Sequence, residues 1–142
     1  MCELSFINTG DREVNIAIAY SLAFIDGTVN KDGTGFYSTD LWKTHLSGGI
    51  IINLMKIMTE KIIDNTPILL HTRFATFGVG GVKEVNGDNS HPFEGERFVL
   101  AHNGALEPKK FLTKDEKDKL GNIVDSAYFL LCLEQSKEED FQ

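Results

Sequence analysis

Read from its amino end, the chain first alternates. Cys2, Leu4 and Phe6 are apolar with polar residues between them, which predicts a strand inside a sheet, closed by the Asn8-Thr9-Gly10-Asp11 turn cluster. From Arg12 to Phe24 the apolar positions Val14, Ile16, Ile18, Ala19, Leu22 and Ala23 fit a helix better than a second strand. Asp26-Gly27 and Lys31-Asp32-Gly33-Thr34-Gly35 mark two turns, and Gly35 to Thr39 predicts a strand around Phe36-Tyr37. Ile51, Leu54, Met55, Met58 and Ile62 recur at three- and four-residue spacing, so a helix is expected over Ser47–Asp64 with Ser47 as its cap. Asn65-Thr66-Pro67 ends it, and Ile68-Leu69-Leu70-His71 predicts a short strand buried on both faces.

Residues 73 to 96 carry five glycines, which predicts a long connection of the kind that forms lids and binding loops. Arg97 to His102 predicts a further strand, stopped by Asn103-Gly104, a pair that tolerates positive φ. Lys109 to Leu120 is expected to be a solvated, charged helix. Ile123 to Gln135 is expected to be an apolar helix with Val124, Ala127, Tyr128, Leu131 and Cys132 on one face, followed by a frayed acidic tail from Ser136 to Gln142. No repeat or low-complexity tract interrupts this order.

Composition narrows the function. The 142 residues are enough for one domain, 1–142, with a two-layer core. The longest apolar stretch, Ile50 to Met58, is broken by Asn53 and Lys56, far short of the roughly 18 to 20 apolar residues that span a bilayer. No basic region followed by an apolar core opens the chain, so it is expected to stay in the cytoplasm. A net charge of -7 argues against a nucleic-acid partner. The two cysteines, at 2 and 132, argue against a disulfide scaffold in a reducing compartment, and Cys132 is expected in the core. His45, His71, His91 and His102 lack short ligand spacing, and Gly78 to Gly81 lacks the ending of a phosphate loop, so neither metal nor nucleotide cofactor is expected.

Cys2 carries the first candidate chemistry. Removal of the initiator methionine leaves it a free α-amine, a group whose reference pKa of about 7.7 to 8.0 suits it as a base, so one residue can supply nucleophile and proton acceptor. The plainer alternative is a small apolar residue at the edge of a core. Arg73 lies just past a buried strand, where its planar fork can hold a carboxylate, or else is an exposed loop arginine. Asn103 and Gly104 offer a side-chain amide beside an unhindered backbone N–H, a pair of oxyanion donors or an ordinary tight turn. Asp125, at the start of the last helix, either holds an ammonium group or simply caps.

The order of Met1-Cys2, Lys31-Asp32-Gly33-Thr34-Gly35, His71-Thr72-Arg73-Phe74-Ala75-Thr76, His91-Pro92-Phe93, Ala101-His102-Asn103-Gly104 and Asp125-Ser126 resembles the class II glutamine amidotransferases, closest to their stand-alone members. The resemblance implies an α+β, four-layer αββα sandwich of the N-terminal-nucleophile hydrolase type. The chain is short beside that family, so either the sheets are abbreviated at the C-terminal end, with exposed edges that a partner or self-association would cover, or the chain is a short form. It implies Cys2 as nucleophile on the glutamine side-chain amide, Asn103 Nδ2 and the Gly104 N–H as oxyanion donors, and Arg73, Thr76 and Asp125 as contacts to the substrate's carboxylate and ammonium. The loop from Arg73 to Gly81 would close over the substrate. Ammonia would pass to an acceptor partner, and no cofactor is implied. Two other readings share the residues: a hydrolase of another γ-glutamyl amide or peptide, and an inactive binding module on the same fold.

Overall fold

The computed structural model describes residues 2–75, 85–104, 106 and 124–136. The expected helix over Lys109–Leu120, Ile123, the tail from 137 onward, Thr76 and the glycine cluster Gly78 to Gly81 lie outside the described residues.

Strand β1, Glu3–Ile7, leads into helix α1, Arg12–Gly27. Asp11 starts the helix by accepting the Val14 N–H through its side chain at 3.0 Å. Ile16, Ala19, Ala23 and Gly27 face inward, while Val14 and Ile18 are exposed, so the buried stripe is narrower than the apolar pattern suggests. Small residues are needed on that stripe because α1 touches the Ser47-Gly48-Gly49 backbone. A Cβ on Gly48 would lie 1.9 Å from the Ala23 carbonyl oxygen, and one on Gly27 would lie 2.5 Å from the Gly48 nitrogen. Gly27 is therefore the last helical residue and not the turn that Asp26-Gly27 predicts.

The same contact breaks the helix expected over Ser47–Asp64. Gly48–Ile50 forms one 3-10 turn, and the α-helix proper, α2, runs only over Leu54–Lys61. Asn53, at φ 67°, makes the turn into it, and the Ser47 side chain caps nothing. Leu54 and Met58 are buried and Met55 is exposed.

Strands β2, Thr34–Tyr37, β3, Leu41–Thr44, and β4, Ile68–Thr72, join β1 in an antiparallel sheet of order β1-β4-β2-β3. Among the described strands β1 is thus at an edge rather than inside, and β3 is a strand that the sequence pattern did not reveal. One face of the sheet packs on α1 and α2 through Ile7, Phe36, Ile68 and Leu70. On the other face the register sets Leu4 opposite His71, His71 opposite Gly35, and Gly35 opposite Lys43.

Part of that second face is covered. The two-stranded ribbon of β5, Phe93–Glu94, and β6, Val99–Leu100, lies near it, with Lys43 Nζ 4.6 Å from the centre of the Phe93 ring. Gly35 has no room for a side chain, because a Cβ there would lie 2.1 Å from the His91 carbonyl oxygen. Helix α3, Asp125–Gln135, packs on the ribbon, and Glu134 accepts the Arg97 and Phe98 N–H groups at 3.0 Å. It buries Ser126 and Leu130 and leaves Leu131 exposed, and Cys132 is only half-buried. Further along the sheet face Leu4 is 40% and Phe6 70% exposed, so the alternation that predicts β1 faces an incompletely covered layer.

Candidate functional site

Cys2 sits immediately before β1, half-buried, at the end of the sheet where β4 runs out. Antiparallel pairing of Glu3 with Thr72 delivers it beside Arg73 and Phe74. Its Sγ accepts the Phe74 N–H at 3.3 Å and lies 3.4 Å from the Phe74 carbonyl oxygen, to which the thiol can donate. From the other side, Asn103 Nδ2 donates to the Cys2 carbonyl at 2.7 Å. Residues 72 and 101 positions away therefore hold the same cysteine.

Arg73 is held by its backbone, while Nη1 of its side chain is left without a partner. Its N–H donates to the Gly33 carbonyl at 2.8 Å, and its carbonyl accepts the Asp32 N–H at 3.0 Å. The Asp32 carboxylate continues this ladder by accepting the Ala75 N–H at 2.8 Å. The guanidinium is buried, with 7% of the residue exposed. Burial lowers its pKa, and the neighbouring charges of Asp32 and Cys2 oppose that loss. Nη1 is buried without a hydrogen-bond partner, which is the state of a cation waiting for an anion rather than of an arginine in a finished ion pair.

His71 and His91 lie further along the same sheet face. Their ring centres are 4.4 Å apart, and His91 also meets the Phe93 ring edge-on at 4.7 Å. Burial drives both toward the neutral form, His71 to about 4 and His91 to about 2, and the Arg73 charge acts on each in the same direction. The His102 backbone favours a proton on His71, but without meeting hydrogen-bond geometry, so the ring nitrogens of both histidines are unpartnered.

The segment after β6 reaches the site through Asn103. Gly104 adopts φ +145°, a conformation that L side chains rarely take, and the exposed Asn103 precedes it. His102 Nδ1 lies 3.2 Å from the hydroxyl of the buried Ser126. Asp125, first residue of α3, accepts the Leu106 N–H at 2.6 Å through one oxygen and the Ser126 N–H at 2.9 Å through the other. Its carboxylate is thereby oriented while keeping lone pairs for a further donor. Val124, just before it, donates to Asn89 Oδ1 at 3.3 Å, tying the helix start to the segment that carries His91.

Of the residues picked out from the sequence, Cys2, Arg73 and Asn103 are joined by direct contacts or shared neighbours, and Gly104 and Asp125 adjoin them through the 102–106 segment. Thr76 lies outside the described residues. Sequence reasoning gave no role to Asp32, which grips the start of the loop, or to the His71–His91 pair. Asp32 stands in a turn motif that does signal a site, but the histidine pair unites two positions 20 residues apart and leaves no local trace. Among the described residues no group of three His, Cys, Asp or Glu side chains is arranged to hold a metal ion. Nor, among them, is any helix long and apolar enough to cross a membrane.

No family model and no solved structure matches the chain. Over 81 residues, 56% of its length, it is 37% identical to the glutamine--fructose-6-phosphate aminotransferase [isomerizing] of two strains of Staphylococcus epidermidis. The match spans 11% of the length of those proteins. The chain is thus a distant and partial homologue of an aminotransferase whose name includes glutamine.

Proposed function

We propose that the chain is a cysteine-dependent glutaminase of the class II amidotransferase type, built on an αββα sandwich. The observation that carries this reading is the clamp on Cys2: its sulfur lies against Phe74, next to a buried arginine with an unpartnered Nη1, and its carbonyl is held by Asn103. The partial likeness to a protein named for glutamine supports the same substrate.

After removal of Met1, the Cys2 amine takes the thiol proton as sulfur attacks the side-chain amide carbon of glutamine. The carbon–sulfur bond forms and the carbonyl oxygen becomes an oxyanion. An Asn side chain has two N–H donors, so Nδ2 can keep the Cys2 carbonyl on one and offer the other to the oxyanion, with the Gly104 N–H as a second donor. The amine returns its proton to the leaving nitrogen, the carbon–nitrogen bond breaks, and ammonia departs. Water then adds to the thioester by the same route and releases glutamate. Arg73 takes the substrate's α-carboxylate and Asp125 its α-ammonium, with Thr76 as an additional contact.

A second reading, hydrolysis of a larger γ-glutamyl amide, is favoured by one observation. Leu4 and Phe74, next to Cys2, are 40% and 38% exposed, which leaves apolar surface beside the sulfur for a leaving group larger than ammonia.

Ammonia release from glutamine and amine release from a γ-glutamyl peptide, measured for the wild type and for Cys2→Ala, test both. The substitution keeps the terminal amine and removes the sulfur, so activity falls by at least about a thousandfold. Equal rates in the two proteins reject Cys2 as nucleophile, and intact mass shows whether Met1 has been removed.

A further inference from the structure

Among the described residues seven buried side-chain nitrogen or oxygen atoms lack a hydrogen-bond partner, and five of them belong to Arg73, His71 and His91. Folded proteins leave few such atoms, and each one costs the desolvation it has not recovered. Here they are concentrated next to the Cys2 clamp. They are also rigidly held. His71 is within β4 and wholly buried, while His91 is 8% exposed and wedged between the His71 and Phe93 rings, with its carbonyl against Gly35. The His102 backbone lies near His71, yet neither ring makes a hydrogen bond here.

The donor inventory of the cluster describes what is missing. Each neutral imidazole offers one N–H and one acceptor nitrogen, and Arg73 Nη1 offers further N–H groups and a positive charge. Three adjoining sources of N–H with a net charge of one match the lone pairs of a carboxylate better than those of any neutral group.

We propose that His71 and His91 extend the Arg73 site into a three-residue carboxylate pocket, contacting the substrate's carboxylate directly or through one water, and that their nitrogens are unsatisfied only in the free protein. The assignment rests on the glutaminase reading for the identity of the substrate. It adds that the histidines are binding residues kept at a cost to stability, not packing elements.

Thermal melts of the full chain and titration with L-glutamate, the product that retains the α-carboxylate, test this in the wild type, His91→Phe and His91→Gln. Phenylalanine fills the same space without polar atoms. The apo melting temperature of His91→Phe is expected to equal or exceed the wild-type value by a few degrees, while L-glutamate binds about three- to tenfold more weakly, the worth of one net hydrogen bond. His91→Gln, which restores a donor and an acceptor, recovers at least half of that affinity on a logarithmic scale, and with glutamine as substrate the His91→Phe loss falls on KM more than on kcat.

A melting temperature of His91→Phe below the wild type, failure of that variant to fold, or L-glutamate affinity equal to wild type each overturns the proposal. When the wild type binds L-glutamate and releases ammonia, those results defeat the histidine assignment alone. A wild type that does neither defeats the glutaminase reading, and the histidine assignment with it.

Discussion

Acid should weaken this fold well before its carboxylates titrate, and the His71–His91 pair sets the amount. Both rings are buried and neutral, at about 4 and about 2 against an ordinary 6.5. As pH falls through 6.5 the unfolded chain takes up a proton at each position and the folded chain does not. Stability is therefore complete above 6.5 and is lost as pH drops toward the folded values. At pH 5.0 both histidines are still neutral in the fold, so the loss depends almost wholly on the unfolded value. It comes to roughly 2 kcal/mol for each residue and about 4 kcal/mol for the pair, at about 1.4 kcal/mol per pH unit.

That is a large part of the roughly 5–15 kcal/mol that holds an ordinary domain together. Carboxylates with ordinary values hardly respond above pH 5. Urea unfolding followed by the fluorescence of Trp42, which stacks on the core residue Phe36 with ring centres 5.4 Å apart, measures the effect at pH 7.5 and 5.0. The expected fall in the midpoint is about 2 M at the usual urea sensitivity of a small domain. The doubly substituted His71→Phe, His91→Phe protein should lose most of this dependence. A wild-type change below about 1 kcal/mol, or an equal change in the double variant, would refute the reasoning.

Two further outcomes rest on backbone contacts. Gly35→Ala places a methyl group where the His91 carbonyl already lies, at 2.1 Å, and should cost about 1–3 kcal/mol or more in denaturant melts; an unchanged midpoint would mean that the two layers are not in contact there. Asp32→Asn retains an acceptor for the Ala75 N–H but removes the negative charge that offsets Arg73 burial, so it should raise KM for glutamine about three- to tenfold while the melting temperature moves little. A fall in melting temperature with KM unchanged would make Asp32 a purely structural residue.

The sequence discloses the elements that rest on local chemistry. Helix α1 is legible because Asp11 caps it and its apolar positions recur on one side, and β4 because Pro67 isolates an apolar run that β-pairing then buries. What fails does so where tertiary contact overrides periodicity. Gly48 and Gly49 stand inside a good helical pattern, yet they are there to let the backbone meet α1, and the helix starts only at Leu54. Strand β3 is missed because Leu41-Trp42-Lys43-Thr44 is too short for a pattern, and it forms by pairing with β2.

The candidate site divides in the same way. Cys2, Arg73 and Asp125 each sit at the end of an element, whereas Asn103 lies three residues past β6, which stops at Leu100 and not at His102 as the pattern predicts. The Asn103–Gly104 geometry is half as expected, since only Gly104 takes a positive φ. Which partners they engage was not readable: that Asn103 reaches the Cys2 carbonyl, and that Asp125 is oriented by Leu106 and Ser126, depends on chain segments that converge only in three dimensions.

The clamp on Cys2 has a consequence for the order of events during synthesis. β1 leaves the ribosome well ahead of its sheet partner β4, which lies more than 60 residues later, and Asn103 stands a full 101 positions beyond the cysteine. At about 5–20 residues per second, the cysteine ahead of that strand waits roughly 5 to 20 s for its last contact. The proposed removal of Met1 has that interval in which to happen, before Asn103 completes the hold on Cys2.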